Sequence, residues 1–225
     1  MADSWGSVWQ GTAGAISTRP GPVSPLGTDE LLAARPGRVI ALEGPTGLGL
    51  TRLGLGLLAT IAERLPVAVV DVRGWICPLA AWELGIPPER LVTIRCTDPI
   101  KWPKALAALL EGIGGVYAEV PTGVPDQVLR RLSALARSRS SALVLRPLKG
   151  TLPAGISFLR LRPAGVVWDG PHEGHGRLRI RKIALEASGK GAAGIQRTIE
   201  MEDDGENLVC VVSGMAVTTS RRAAG

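Results

Sequence analysis

From Gly37 onward, short apolar runs alternate with longer amphipathic or apolar stretches of helical period. Residues 38–43 and 67–72 read as strands, and the apolar stretch from Leu53 to Leu65 between them reads as a helix, giving a strand–helix–strand unit. The alternation continues through a helix around Leu79–Leu84, a strand at Leu91–Cys96, a helix at about Pro103–Glu111 and a strand at Gly115–Val120. Asp126 is a residue type that caps helices, which predicts a helix over Gln127–Arg137, and Ala142–Arg146 follows as another buried strand. Apolar strands alternating with helices predict an α/β fold: a mainly parallel sheet with helices on both faces.

Beyond Lys149 the helical pattern stops. Residues 155–162, 165–169, 177–186, 197–201 and 208–212 read as strands, so antiparallel hairpins are expected to extend the same sheet. In the third of these, Leu178 and Ile180 are expected to face the core and Arg177, Arg179 and Arg181 to project from the other face as a basic stripe. Residues 1–36 are rich in Gly, Pro, Ser and Thr and read as a flexible N-terminal arm. Trp5 and Trp9 would share one face of a short helix there, docking the arm on its own core or on a partner. The domain itself is expected over 37–213, with 214–225 as a disordered basic tail, and there is no internal repeat.

A chain of 225 residues with 45% hydrophobic and 20% charged residues suffices for one well-buried domain. No apolar run reaches the roughly 18–20 residues a membrane span requires, and the start lacks a secretory layout, so the expectation is a cytoplasmic protein without a membrane partner. Cys77, Cys96 and Cys210 are too few and too far apart for a disulfide framework or a zinc site, and are expected as reduced core residues. Net charge is +6, with Arg130, Arg131, Arg137 and Arg139 on one predicted helix adding to the stripe at 177–181. These arginines are candidate contacts for DNA or an acidic partner, with a solvated basic face as the alternative. DNA bound there would be held without sequence preference.

The strongest local signal is the strand, glycine-rich turn and helix start of residues 38–51. In a phosphate loop, G-x-x-x-x-G-K-[ST], backbone N–H groups wrap the phosphates, the lysine holds the terminal ones and the hydroxyl binds magnesium. Gly44 and Gly49 have that spacing, Thr46 and Gly47 lie between them, and Thr51 takes the hydroxyl position. Leu50 takes the lysine position. Phosphoryl transfer depends on positioning and charge neutralisation, so this replacement predicts loss of hydrolysis, with weak anion or nucleotide binding as what the backbone alone would retain. A dinucleotide site is the rival reading: Gly44, Gly47 and Asp71 follow its spacing, which would make the chain a Rossmann-type oxidoreductase. Gly54-x-Gly56-x-x-Ala59 also fits the pattern but falls inside the predicted helix, and no catalytic tyrosine–lysine pair accompanies it. His172 and His175 lie in a glycine-flanked turn without a third ligand, and no metal site is expected.

Taken in order, these residues resemble the core of bacterial RecA from about Ile16 to Glu202. Residues 44–51 fall on that family's phosphate loop without gaps, and residues 69–78 on the segment that ends its second strand and carries the catalytic glutamate, whose place Arg73 holds. Residues 83–91 resemble the turn into the third strand. Glu119, in the strand 115–120, stands where the family has its magnesium-associated aspartate. The resemblance therefore implies a RecA-like core that has lost both the charge-clamping lysine and the water-activating base. The short segments 120–126 and 147–155 stand where RecA has long DNA-gripping loops, and residues 1–15 are too few for its polymerising arm.

The pattern is most similar to the ImuA-type proteins of bacterial mutagenesis cassettes. That similarity implies a non-catalytic adaptor in DNA-damage-induced (SOS) translesion synthesis, partnered by a Y-family polymerase relative and a DnaE-type polymerase, with no resident cofactor. A weak ATPase, an oxidoreductase and a plain DNA-binding module are the alternatives.

Overall fold

The structure is a computed structural model and describes residues 32, 34–170, 179–205 and 208–214. The elements run β1 (Val39–Leu42), α1 (Leu50–Ala62), β2 (Val67–Asp71), α2 (Pro78–Trp82), β3 (Leu91–Arg95), α3 (Trp102–Gly112), β4 (Gly115–Val120), α4 (Asp126–Ser138), β5 (Ala142–Pro147), β6 (Leu159–Asp169), β7 (Ile180–Ser188), β8 (Arg197–Asp203) and β9 (Leu208–Gly214). They form one nine-stranded sheet in the order β3-β2-β4-β5-β1-β6-β7-β8-β9. The pairings from β3 to β6 are parallel, and those from β6 to β9 are antiparallel.

Strand pleating explains the two cores. Alternate residues of β1 go to opposite sides: Ile40 and Leu42 pack with α1, while Val39 and Ala41 pack with α4. Tyr117 likewise faces α1, whereas Val116 and Ala118 face the other layer with Trp102 and Leu106 of α3. Both sides of β1, β2, β4 and β5 are covered, so these strands are apolar on both faces rather than alternating, with Asp71, Glu119 and Arg146 as charged exceptions toward their carboxyl ends. Helix α1 is buried along most of its length and extends its cover onto Ile183, Leu185 and Ile199 of the antiparallel strands.

Several expectations are corrected. Asp126 is the first residue of α4 and makes no side-chain cap; Pro125, whose extended backbone leads into the helix, takes the flanking position. The expected strands 155–162 and 165–169 are one strand, β6, whose register slips between Pro163 and Gly165, where proline has no N–H to give the ladder. Cys77 is exposed and precedes α2, while Cys96 and Cys210 are partly buried. The expected arm contributes to the core, because Leu32 and Ala34 are buried in the cluster that surrounds α1.

The face assignment of β7 is inverted. Ile183, Leu185 and Ala187 are the buried set, which puts Arg181 on the inner side and Ile180, Lys182 and Ala184 on the outer one. Apolar residues change parity between Ile180 and Ile183, and the longer odd-numbered run decides which side is buried. Trp5, Trp9, His172, His175 and Arg177 lie outside the described residues, as does the tail beyond Gly214. Among the described residues no helix is long and apolar enough to cross a membrane.

Candidate functional site

The glycine-rich turn sits between β1 and α1, at the carboxyl ends of the parallel strands, where open α/β sheets bind ligands. Gly47 and Gly49 have φ of 88° and 76°, and Gly49 leads into the helix in the left-handed conformation with no side-chain cap. Any other residue at 49 would be strained and would also collide with Arg181, whose guanidinium carbon lies 2.8 Å from where a Cβ would stand. Thr46 faces an open cleft.

At position 50, where a phosphate loop would carry its lysine, the side chain turns inward. Leu50 is 2% exposed and belongs to the core around α1. Thr51, at the hydroxyl position, has its Oγ1 3.5 Å from the hydroxyl of Tyr117, which is fully buried.

The cations around the turn come from elsewhere. Arg146, at the end of β5, is 3% exposed and donates from Nη1 to the Gly44 carbonyl at 3.2 Å and from Nη2 to the Pro45 carbonyl at 3.3 Å. Burial, more than any neighbouring charge, lowers its pKa from the usual arginine value. Arg52 and Arg181 converge on Asp203: Arg52 Nε donates to Oδ1 at 3.1 Å, and Arg181 Nη2 donates to Oδ2. The β7–β8 hairpin is therefore clamped over the start of α1. Beneath the turn, Glu43 is buried and accepts from Arg162 Nε at 2.9 Å and from the Leu152 N–H at 2.8 Å, while Arg160 lies 3.3 Å away.

Arg73 and Glu119, both singled out by the resemblance above, meet each other. Glu119 is fully buried at the end of β4, and its Oε2 accepts from the Val72 and Arg73 N–H groups at 3.0 and 3.2 Å. Its Oε1 accepts from Arg73 Nε at 3.0 Å and from Arg73 Nη2. An ionised carboxylate has about four acceptor sites, so these four donors saturate it. Arg73 also stacks on Trp75 with 4.6 Å between guanidinium carbon and ring centre. The buried Glu119 carboxylate is thus held by Arg73 and by two backbone N–H groups.

Asp71, considered above as part of a dinucleotide fingerprint, is consumed locally. Its carboxylate accepts from the Gly74 N–H at 2.7 Å, the Trp75 N–H at 3.3 Å and the Ile76 N–H at 3.0 Å, closing the turn that presents Arg73 and Trp75. Gly54, Gly56 and Ala59 lie within α1, away from the turn.

The arginine groups do not form one patch. Arg130, Arg131 and Arg137 are exposed on α4 and Arg139 just beyond its end, on the face opposite α1, while Arg181 belongs to the α1 side. Arg130 donates to the Ala154 carbonyl at 3.2 Å, and Arg139 pairs with Glu111 at 3.6 Å. Arg179 is exposed at the start of β7. Pattern reasoning missed Arg146, Glu43 and the Arg73–Glu119 contact. Their one sequence signal is a charge inside or at the end of an apolar strand, where burial requires a partner.

Burial raises the pKa of Tyr117 to about 12, with the Thr51 hydroxyl pulling weakly the other way. A tyrosine whose folded pKa exceeds its unfolded value of about 10 stabilises the fold below pH ~10 and loses that contribution as pH rises toward 12. Tyr117 is the only tyrosine, so phenolate absorbance reads it alone. The titration is expected well above pH 10 and together with loss of the circular dichroism of the fold. A midpoint near pH 10 in folded protein would contradict its burial.

A family described as the MT3502 N-terminal domain matches residues 29–150. That span contains the turn, Arg73 and Glu119. No curated protein matches the chain.

Proposed function

The chain belongs to the MT3502 N-terminal domain family, and from the resemblance of its glycine-rich turn and strand ends to the RecA core we propose that it is a non-catalytic, RecA-like accessory protein that works by docking partners. The role is that of an adaptor in damage-induced translesion synthesis, as in the ImuA-type proteins, bringing together a Y-family polymerase relative and a DnaE-type polymerase. One observation carries the non-catalytic part: Arg73 and the backbone N–H groups saturate Glu119. Magnesium would have to displace a buried, charge-assisted bond to reach that carboxylate, and no residue at position 73 remains to activate water. The inward Leu50 adds to this, since no cation at position 50 reaches toward the turn.

Co-purification with a Y-family polymerase relative encoded beside the gene, together with nucleotide calorimetry at background, is the expected pattern. The non-catalytic reading makes a sharper prediction as well. Leu50→Lys restores the residue type of a working loop, yet ATP turnover is expected to stay at the level of the unaltered protein, because the Arg73–Glu119 pair persists. It also forces a charge into a 2% exposed site, so the melting temperature falls. Turnover by the unaltered protein that Thr51→Ala abolishes would overturn the reading.

A further inference from the structure

Beside the turn, an open cleft of about 420 Å³ runs across the carboxyl ends of the parallel strands. Trp75, Pro99, Pro121 and Leu148 supply apolar walls, and Arg73 and Lys149 supply the charged groups. Trp75 is 72% exposed, which is unusual for so large an apolar ring. Its orientation is fixed: Asp71 holds its backbone N–H, and Arg73 stacks on its ring. A rigid, exposed aromatic presented in this way is the kind of group that carries binding energy at protein interfaces. Ile100, next to Pro99 in the chain, is 82% exposed.

The charges around the cleft do not cancel. Arg73 is balanced by Glu119 and Lys101 by Asp98, the latter pair at 3.8 Å. Lys149 and Arg95 remain without a carboxylate partner among the described residues. Arg95 donates to the Gly74 carbonyl at 3.0 Å, which places its head next to Trp75. Among the described residues no carboxylate lines the cleft itself.

We infer that this cleft is a docking site for an acidic peptide segment of a partner protein, one carrying an apolar anchor residue that packs on Trp75 while its carboxylates face Lys149 and Arg95. The volume holds two or three side chains, in the range of small ligand sites. A nucleic-acid strand fits less well. Strand binding calls for a file of cations along the backbone, whereas the lining holds Lys149 and an Arg73 already paired with Glu119, with Thr46, Thr97 and Thr122 as its uncharged polar side chains. The inference rests on the adaptor reading only in making the partner a protein.

Fluorescence anisotropy of the full chain with a dye-labelled peptide of glutamates around a central phenylalanine tests it. Saturable binding that weakens with salt is expected. Trp75→Ala and Lys149→Glu should each weaken it by about tenfold, and a peptide with glycine in place of the phenylalanine should bind as poorly. Both side chains are exposed, so both variants should melt with the unaltered protein. Absence of saturable binding, an affinity of either variant equal to that of the unaltered protein, or tighter binding of an oligothymidylate than of the peptide would overturn the inference. If Trp75→Ala captures the polymerase relative as well as the unaltered chain does, the cleft is not the docking site and the adaptor reading stands. If the peptide binds as expected while no polymerase relative is captured, the adaptor reading fails and the cleft stands.

Discussion

Arg73→Ala is expected to lower stability by about 3–5 kcal/mol, the usual cost of removing one member of a buried ion pair. The size follows from what is left behind. Glu119 is fully buried, and without the guanidinium it retains only two backbone donors to offset its desolvation. Removing Glu119 costs less by comparison, because Arg73 is 18% exposed and can turn its charge to water. At roughly 2–4 °C per kcal/mol for a chain of this size, the loss is visible in a thermal melt. Adding Glu119→Gln to Arg73→Ala should recover part of it, because a neutral amide oxygen can still accept from the backbone and needs no countercharge. If the single variant melts with the unaltered protein, Arg73 does not stabilise Glu119 and the proposed non-catalytic reading loses the observation that carries it. Neither variant is expected to gain ATP turnover, since neither supplies a base or a lysine.

Gly54→Ala is expected to destabilise even though alanine is the better helix former by about 1 kcal/mol. A methyl group at position 54 would fall within the ring of Tyr117 and 3.1 Å from the Leu42 side chain. The ring is fully buried between α1 and β4, with nowhere to move, so overpacking of about 1–3 kcal/mol or more outweighs the gain in propensity. Combining it with Tyr117→Leu should return much of the loss, because the smaller side chain vacates that volume. A Gly54→Ala protein more stable than the original would mean that helix and strand do not approach this closely. The pattern Gly54-x-Gly56-x-x-Ala59, which reads as a dinucleotide fingerprint, is thus partly explained as packing: Gly54 lets α1 approach the sheet.

Much of the parallel half was legible from pattern alone. β4 spans the apolar run 115–120 as expected, and α3 and β5 differ by a residue or so at their ends. These strands are buried on both sides, so a continuous apolar run has only one reading. The antiparallel half was less legible because face assignment there depends on parity. Arg181 follows Ile180 in what looks like a regular alternation, yet three later residues, Ile183, Leu185 and Ala187, set the buried side. The separation of the α4 arginines from Arg181 likewise depends on which face each element covers, which no local pattern encodes.

The candidate site divides in the same way. The order of residues along the chain by itself determined the glycine spacing at 44 and 49, leucine at 50 and arginine at 73, because loop geometry and residue chemistry are local properties. Only the tertiary structure decided that Arg73 closes on Glu119, 46 residues away, that Arg146 reaches under the turn, and that Trp75 stands over an open cleft. A buried charge must find a countercharge, and which one it finds depends on which strand ends the sheet order brings side by side.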